Sequence, residues 1–212
     1  MESLLLPAQL FPFLAASILL TLAPGPDNLL VLSLGIARGR RHGMAFGLGC
    51  AAGCINHTVL AALGVGALIV ASETAFTTLR VAGGLYLLWL GLQAIRHAAP
   101  ARPGKPASGG GESCARLFRR GLLANAINPK VVLFFLAFLP QFVDAGRGNA
   151  GWQIAQLGLL FTLQAALLFA LIGLFAGALG ERLARRPGLS LWLERAAGGI
   201  FVLLGARLLA GR

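Results

Sequence analysis

Charged residues are scarce in this chain. Asp, Glu, Lys and Arg together make up 12% of its 212 residues, and only seven are acidic. Soluble domains carry about a quarter of their residues charged, so an ordinary soluble enzyme, a disordered chain and a nucleic-acid-binding domain are excluded. Histidine is equally thin, at three residues, which leaves too few ligands for a haem or a metal cluster. Cys50, Cys54 and Cys114 form neither an even disulfide framework nor a metal-ligand spacing. Two of them sit in an apolar run, where a thiol behaves as a small hydrophobe.

Hydrophobic residues supply 57% of the chain and the mean hydropathy is +0.79. A membrane-spanning helix consumes about 20 apolar residues, so the inventory suits six. The stretches run Leu10–Ile36, Gly43–Ala71, Ala75–Ile95, Gly121–Val143, Trp152–Leu179 and Leu191–Leu209. The expected fold is an all-α integral membrane protein with six transmembrane helices. The first stretch does not read as a cleavable signal: Glu2 precedes it without Lys or Arg, and apolar sequence continues past Pro26.

The net charge of +11 would suggest a nucleic-acid partner in a soluble chain, but basic residues also collect in the cytoplasmic loops of membrane proteins. Arg38, Arg40 and Arg41 follow the first span. Arg96, Arg102, Lys105, Arg116, Arg119 and Arg120 lie between the third and fourth, and Arg182, Arg185 and Arg186 between the fifth and sixth. Twelve of the eighteen basic residues thus fall on one side, which places both termini outside the cytoplasm.

The halves of the chain resemble one another. Arg80-Val81-Ala82-Gly83-Gly84-Leu85-Tyr86 is matched by Arg195-Ala196-Ala197-Gly198-Gly199-Ile200-Phe201. Ala23-Pro24-Gly25-Pro26-Asp27 lines up with Ala126-Ile127-Asn128-Pro129-Lys130. Three spans per half is an odd number, so a second copy lies upside down relative to the first. Residues 1–98 and 118–212 then form two inverted three-helix repeats, each with a broken first helix, and 99–117 is a Pro- and Gly-rich cytoplasmic linker. Glycine pairs also arise from close helix packing alone.

Interrupted spans at corresponding positions point to a transporter's binding site. Pro24 and Pro26 remove backbone donors, Gly25 frees the turn, and a helix restarts at Pro26 with Asp27 and Asn28 in its first turn. Asp27 is either a cap for that restart or the partner of a substrate ammonium or proton. In the second half Asn128 is a good cap and Pro129 a good first residue. Lys130 then sits where its helix dipole disfavours a cation and the membrane disfavours any charge, so it either snorkels or has a partner. Its counterpart is Asp27, and the two are expected to face each other near the midplane. His57 is either a packing residue or a proton relay. Asn56, Asn125 and Gln164 either line a polar path or bond between helices.

These positions resemble a known family. Leu22 to Asn28, followed by Gly35-Ile36-Ala37-Arg38-Gly39 and Gly43, is similar to the N-terminal signature of LysE/RhtB-type amino-acid exporters. Asn125 to Lys130, with Phe138-Leu139-Pro140-Gln141-Phe142, resembles that family's second-half signature, and the homoserine and threonine branch looks closer than the lysine and arginine branch. The resemblance implies a six-helix carrier in the bacterial inner membrane that exports amino acids against a proton gradient. It implies no enzyme activity, no cofactor and no metal; the partners are the amino acid, protons and the lipid bilayer. Gly-rich faces would permit a homodimer. The zwitterion's carboxylate would meet half-helix N-termini and Lys130, and its ammonium would meet Asp27 and the carbonyls of Ala23–Gly25. Two rivals stand beside this reading: an intramembrane thiol–disulfide oxidoreductase using Cys50 and Cys54, and a passive channel or metal-ion carrier.

Overall fold

The computed structural model describes residues 7–23, 25–98, 112–144, 146 and 149–210, and every regular element among them is helical. Helices α1 (Pro7–Leu22) and α2 (Pro26–Arg38) form one bent pair, at 57°. Helix α3 (Arg40–Leu60) runs through a π-helical stretch, Ala61–Val65, into α4 (Gly66–Ala71), and α5 spans Glu73–Arg96. The second bent pair, at 53°, is α6 (Cys114–Ala126) with α7 (Pro129–Leu133) and its π and 3-10 continuation to Phe142. Helices α8 (Ala150–Leu174), α9 (Ala176–Arg185) and α10 (Pro187–Ala210) complete the chain.

Local chemistry sets the starts. Ser72, Ser113, Asn128 and Asn149 each accept a hydrogen bond from a first-turn amide of α5, α6, α7 and α8, satisfying donors that the helix itself leaves unpaired. Pro26 and Pro129 open α2 and α7, where the missing N–H costs nothing.

Among the described residues, three helices are long and apolar enough to cross a membrane, or five spans when each bent pair counts as one. Helix α10 contains the sixth apolar stretch expected from the sequence and is not counted in that set. The fifth span is also shorter than expected. It stops at Leu174, and the chain kinks at Phe175 into α9, whose Ala176 and Leu183 pack on Leu32 while Glu181, Arg182 and Arg185 stay exposed. The expected linker is shorter too. Residues 114–117 already belong to α6 because Ser113 caps it, whereas 99–111 lie outside the described residues.

Close backbone approaches fix the directions of the helices. Gly91 lies against the Gly198 carbonyl and Gly84 against the Gly205 carbonyl, so α5 and α10 run antiparallel. Gly47 meets Phe169 and Gly158 meets Thr58, so α3 and α8 are antiparallel as well. Gly49 meets Phe118 and Gly53 meets Leu122 and Asn125, so α3 and α6 are parallel. Small residues at these crossings let backbones touch, the packing that holds membrane helices together.

The two ends of the bundle differ. At one, Glu112 pairs with Arg38 of α2 at 3.4 Å and Arg120 of α6 at 3.5 Å, and Gly180 of α9 lies on Ile36. Arg38, Arg120 and the α9 segment that carries Arg182 and Arg185 therefore lie at this end. Towards the other, Phe13 of α1 meets Phe142 edge-on at 5.3 Å and Phe134 at 6.3 Å. The rings of Phe134, Phe135, Phe138 and Phe161 continue this cluster inward, all buried.

Candidate functional site

The two breaks meet inside the bundle. Asp27, in the first turn of α2, is 7% exposed, and its Oδ2 accepts hydrogen bonds from Asn128 Nδ2 at 2.9 Å and Asn125 Nδ2 at 3.3 Å. Both donors come from the break between α6 and α7. Among the described residues no hydrogen bond reaches the other carboxylate oxygen, Oδ1, and Asp27 lines a cavity. The position is favourable for an anion, because the N-terminus of α2 carries partial positive charge. Gly25 precedes it in extended conformation and offers no side-chain cap, so the cross-chain asparagines supply the polar partners.

Lys130 occupies the corresponding turn of α7, but its partners lie elsewhere. Its Nζ donates to the Ala23 carbonyl at 3.1 Å and sits 5.5 Å from the centre of the Phe201 ring. That carbonyl ends α1, where a helix dipole favours a cation, and the aromatic face adds a second attraction. The residue that looks misplaced in its own helix is thus well placed at the end of another. Asn28 completes the arrangement by donating Nδ2 to both the Thr21 and Ala23 carbonyls at 2.9 Å.

Asp27 and Lys130 line one cavity and make no ion pair; each is satisfied by neutral groups of the opposite break. One expectation changes here. The Ala23 carbonyl is already engaged by Asn28 and Lys130, so it is not open to a substrate ammonium.

The remaining candidates separate clearly. Gly25, Asn28, Asn125 and Asn128 line the cavity, while Pro26 and Pro129 shape the restarts and are themselves exposed. Pro24 lies outside the described residues. His57 is buried one residue behind the site: its Nε2 lies 3.1 Å from the Asn125 backbone oxygen. A carbonyl only accepts, so Nε2 carries the proton and His57 braces the asparagine that holds Asp27. Asn56, its neighbour, is exposed and takes no part in the cavity. Gln164 donates Nε2 to Thr21 Oγ1 at 2.9 Å and so steadies a cavity residue without lining the cavity itself. Cys54 donates Sγ to Asn125 Oδ1 at 3.5 Å, and both Cys50 and Cys54 are free thiols.

The sequence reading missed an entire wall. Phe161, Ala165 and Phe169, one helical turn apart on α8, line the cavity, as does Thr21 of α1. Thr21 carried a signal, as a hydroxyl in an apolar run; the α8 residues carried none, since an apolar face on an apolar helix does not stand out. The cavity itself is about 20 Å³, room for about one water molecule.

An apolar helical bundle whose two bent pairs converge on a buried carboxylate and an ammonium is a multi-pass membrane protein. Residues 18–212 match the family described as LysE type translocator, and the chain belongs to that family. It is similar to the leucine efflux protein of an Enterobacter species, with 31% identity over 92% of each chain. It is also similar to the homoserine/homoserine lactone efflux protein of Salmonella typhimurium, with 33% identity over 95% of this chain and 96% of the relative. The threonine efflux protein of Escherichia coli is 33% identical over 90% of this chain and 92% of its own. No solved structure matches. The family expected from the two proline motifs is therefore the family of the chain.

Proposed function

We propose that the protein exports small neutral amino acids of the homoserine and threonine type across the bacterial inner membrane, by proton antiport and alternating access. One observation carries this reading: Asp27 and Lys130 reach one buried cavity from corresponding positions of two broken helices, and among the described residues no hydrogen bond reaches Asp27 Oδ1. An amino-acid zwitterion needs an anion for its ammonium and a cation for its carboxylate. Asp27 Oδ1 takes the ammonium. Lys130, with the amide-rich N-termini of α2 and α7, takes the carboxylate. When the ammonium leaves, a proton on Asp27 replaces its charge, which couples release to proton entry; Asn125 and Asn128 hold the carboxyl group in place in both forms. The printed names of the efflux relatives support an amino acid as cargo.

The helix directions support the two inverted repeats, 1–98 and 118–212. A chain that crosses with alternating sense makes its second and fourth spans parallel and its third and sixth antiparallel, as α3 with α6 and α5 with α10 are. On this reading α10 is the sixth span despite its three charges. By the positive-inside rule the gathered arginines support a cytoplasmic α2/α6/α9 end with both termini on the opposite side. With room for about one water, the cavity admits an amino acid only when one repeat rocks against the other.

The test is uptake of labelled neutral amino acids into proteoliposomes, with and without an imposed pH gradient, beside Asp27→Asn. Gradient-driven uptake that the mutant loses is the expected result. Uptake that persists in Asp27→Asn reduces Asp27 to a helix cap. Folded wild-type protein that moves no amino acid overturns the reading.

A further inference from the structure

The charged groups of the cavity and its most apolar stretch come from different elements. Of its lining residues, Asp27, Lys130 and the asparagines come from the two breaks, whereas Phe161, Ala165 and Phe169 come from α8. The Phe161 ring is held by its neighbours, and the Phe169 backbone is held against α3. The Phe161 ring lies 5.1 Å from Phe134 and 5.0 Å from Phe135, inside the buried cluster. The backbone and Cβ of Phe169 are pressed against Gly47 of α3, where a methyl group at Gly47 would stand 2.8 Å from the Phe169 Cβ. Between them Ala165 is 1% exposed and is the smallest side chain on that wall. Among the described residues, no acid other than Asp27 lines the cavity.

We infer that Ala165 sets the size of the substrate side chain, and that the α8 wall selects an uncharged side chain whose apolar end points at it. This rests on the amino-acid reading above. A zwitterion held by Asp27 and Lys130 turns its α-substituent away from the breaks and towards α8. There it meets the packed Phe161 ring, the Phe169 ring on a backbone held against α3, and one methyl group that marks the depth available. A basic side chain finds no second carboxylate on that wall, so a lysine-like cargo leaves its ammonium unpaired and desolvated. Among neutral cargoes the discrimination comes from volume, where each methylene in a fitted apolar site is worth roughly tenfold or more.

The experiment is a substrate panel of alanine, threonine, leucine and lysine, transported by wild-type protein, Ala165→Leu and Ala165→Gly in proteoliposomes. Ala165→Leu is expected to lower the leucine-to-alanine transport ratio by roughly tenfold while alanine still moves. Ala165→Gly, which adds no bulk to a packed helix, is expected to raise that ratio. Ratios unchanged in both variants, or an equal loss for every substrate, make Ala165 a packing residue and overturn the inference, with export itself left standing. Wild-type protein that prefers lysine over leucine overturns it as well. Wild-type protein that transports none of the four overturns the export reading beneath it.

Discussion

The two breaks occupy corresponding places in the chain, bend by nearly the same angle, and solve their local problems in opposite ways. The break between α1 and α2 bends by 57° and leaves the N-terminus of α2 without a side-chain cap. It carries an anion that suits its own helix dipole. The break between α6 and α7 bends by 53° and caps itself with Asn128, yet it carries a cation against its own dipole. Each is completed by the other. Asn125 and Asn128 hold Asp27, and the Ala23 carbonyl holds Lys130. The lesson is that neither break is a stable unit inside a membrane, where backbone freed from a helix must be satisfied by protein or water. The opposite charges are also what a zwitterion requires, so the exchange that stabilises the fold builds the site.

The strongest way to break this comparison is to reverse one charge. Asp27→Lys places a second ammonium beside Lys130 and removes the acceptor of two asparagine amides. Thermal unfolding in detergent is expected to show a loss of about 3–5 kcal/mol, the cost of an uncompensated buried charge. Adding Lys130→Asp to the same chain should not recover it, because a carboxylate at 130 would face the Ala23 carbonyl and the Phe201 ring that now hold the ammonium. A double variant restored to wild-type stability would show that the two charges act on each other rather than through the neutral groups of the opposite break.

A smaller effect separates the two caps. Asn128→Ala loses a helix cap worth about 1 kcal/mol and a hydrogen bond to a carboxylate worth about 1.5–3 kcal/mol. Gly25→Ala should change stability by only a few tenths of a kcal/mol. Its backbone is extended at φ −165°, which any residue adopts, and the new methyl would meet Lys130 Nζ at 3.6 Å, an ordinary contact. Equal losses in the two unfolding curves would mean that Asn128 does nothing for Asp27.

Much of this was legible before any coordinates. Long apolar runs gave the helices, and Pro-Gly-Pro and Asn-Pro gave both breaks with Asp27 and Lys130 just beyond them. What stayed hidden depended on partners that a one-dimensional pattern does not carry. The group that stabilises Lys130 is the backbone oxygen of Ala23, over a hundred residues earlier, and a carbonyl has no letter in the sequence. Asn56 and His57 are neighbours in the chain, but a helix turns by about 100° per residue, so one is exposed and the other braces the site. The kink at Phe175 has neither Pro nor Gly at its turning point, and the α8 wall is apolar among apolar residues.

The smallest expected effect lies at the end of the bundle that holds Arg38 and Arg120. Glu112 ties the last residue of α2 to α6 through Arg38 and Arg120, so it joins the downstream half of one broken span to the upstream half of the other. Both contacts are long, at 3.4 and 3.5 Å, and Arg120 is half exposed. Ion pairs of this kind contribute about 0–1 kcal/mol and are screened by salt. Glu112→Gln should therefore lower the unfolding midpoint only slightly, and the difference from wild type should vanish in about 1 M salt, where the screening length is about 3 Å. Its effect on transport is the sharper reading. If the two spans part at this end when the cavity opens to the cytoplasm, the weakened tie speeds entry of substrate from that side while the opposite, Phe13-lined end keeps its rate. Equal changes in transport measured from both sides of the membrane would show that the Glu112 tie is indifferent to direction. The charges buried between the breaks would then be the whole of the coupling.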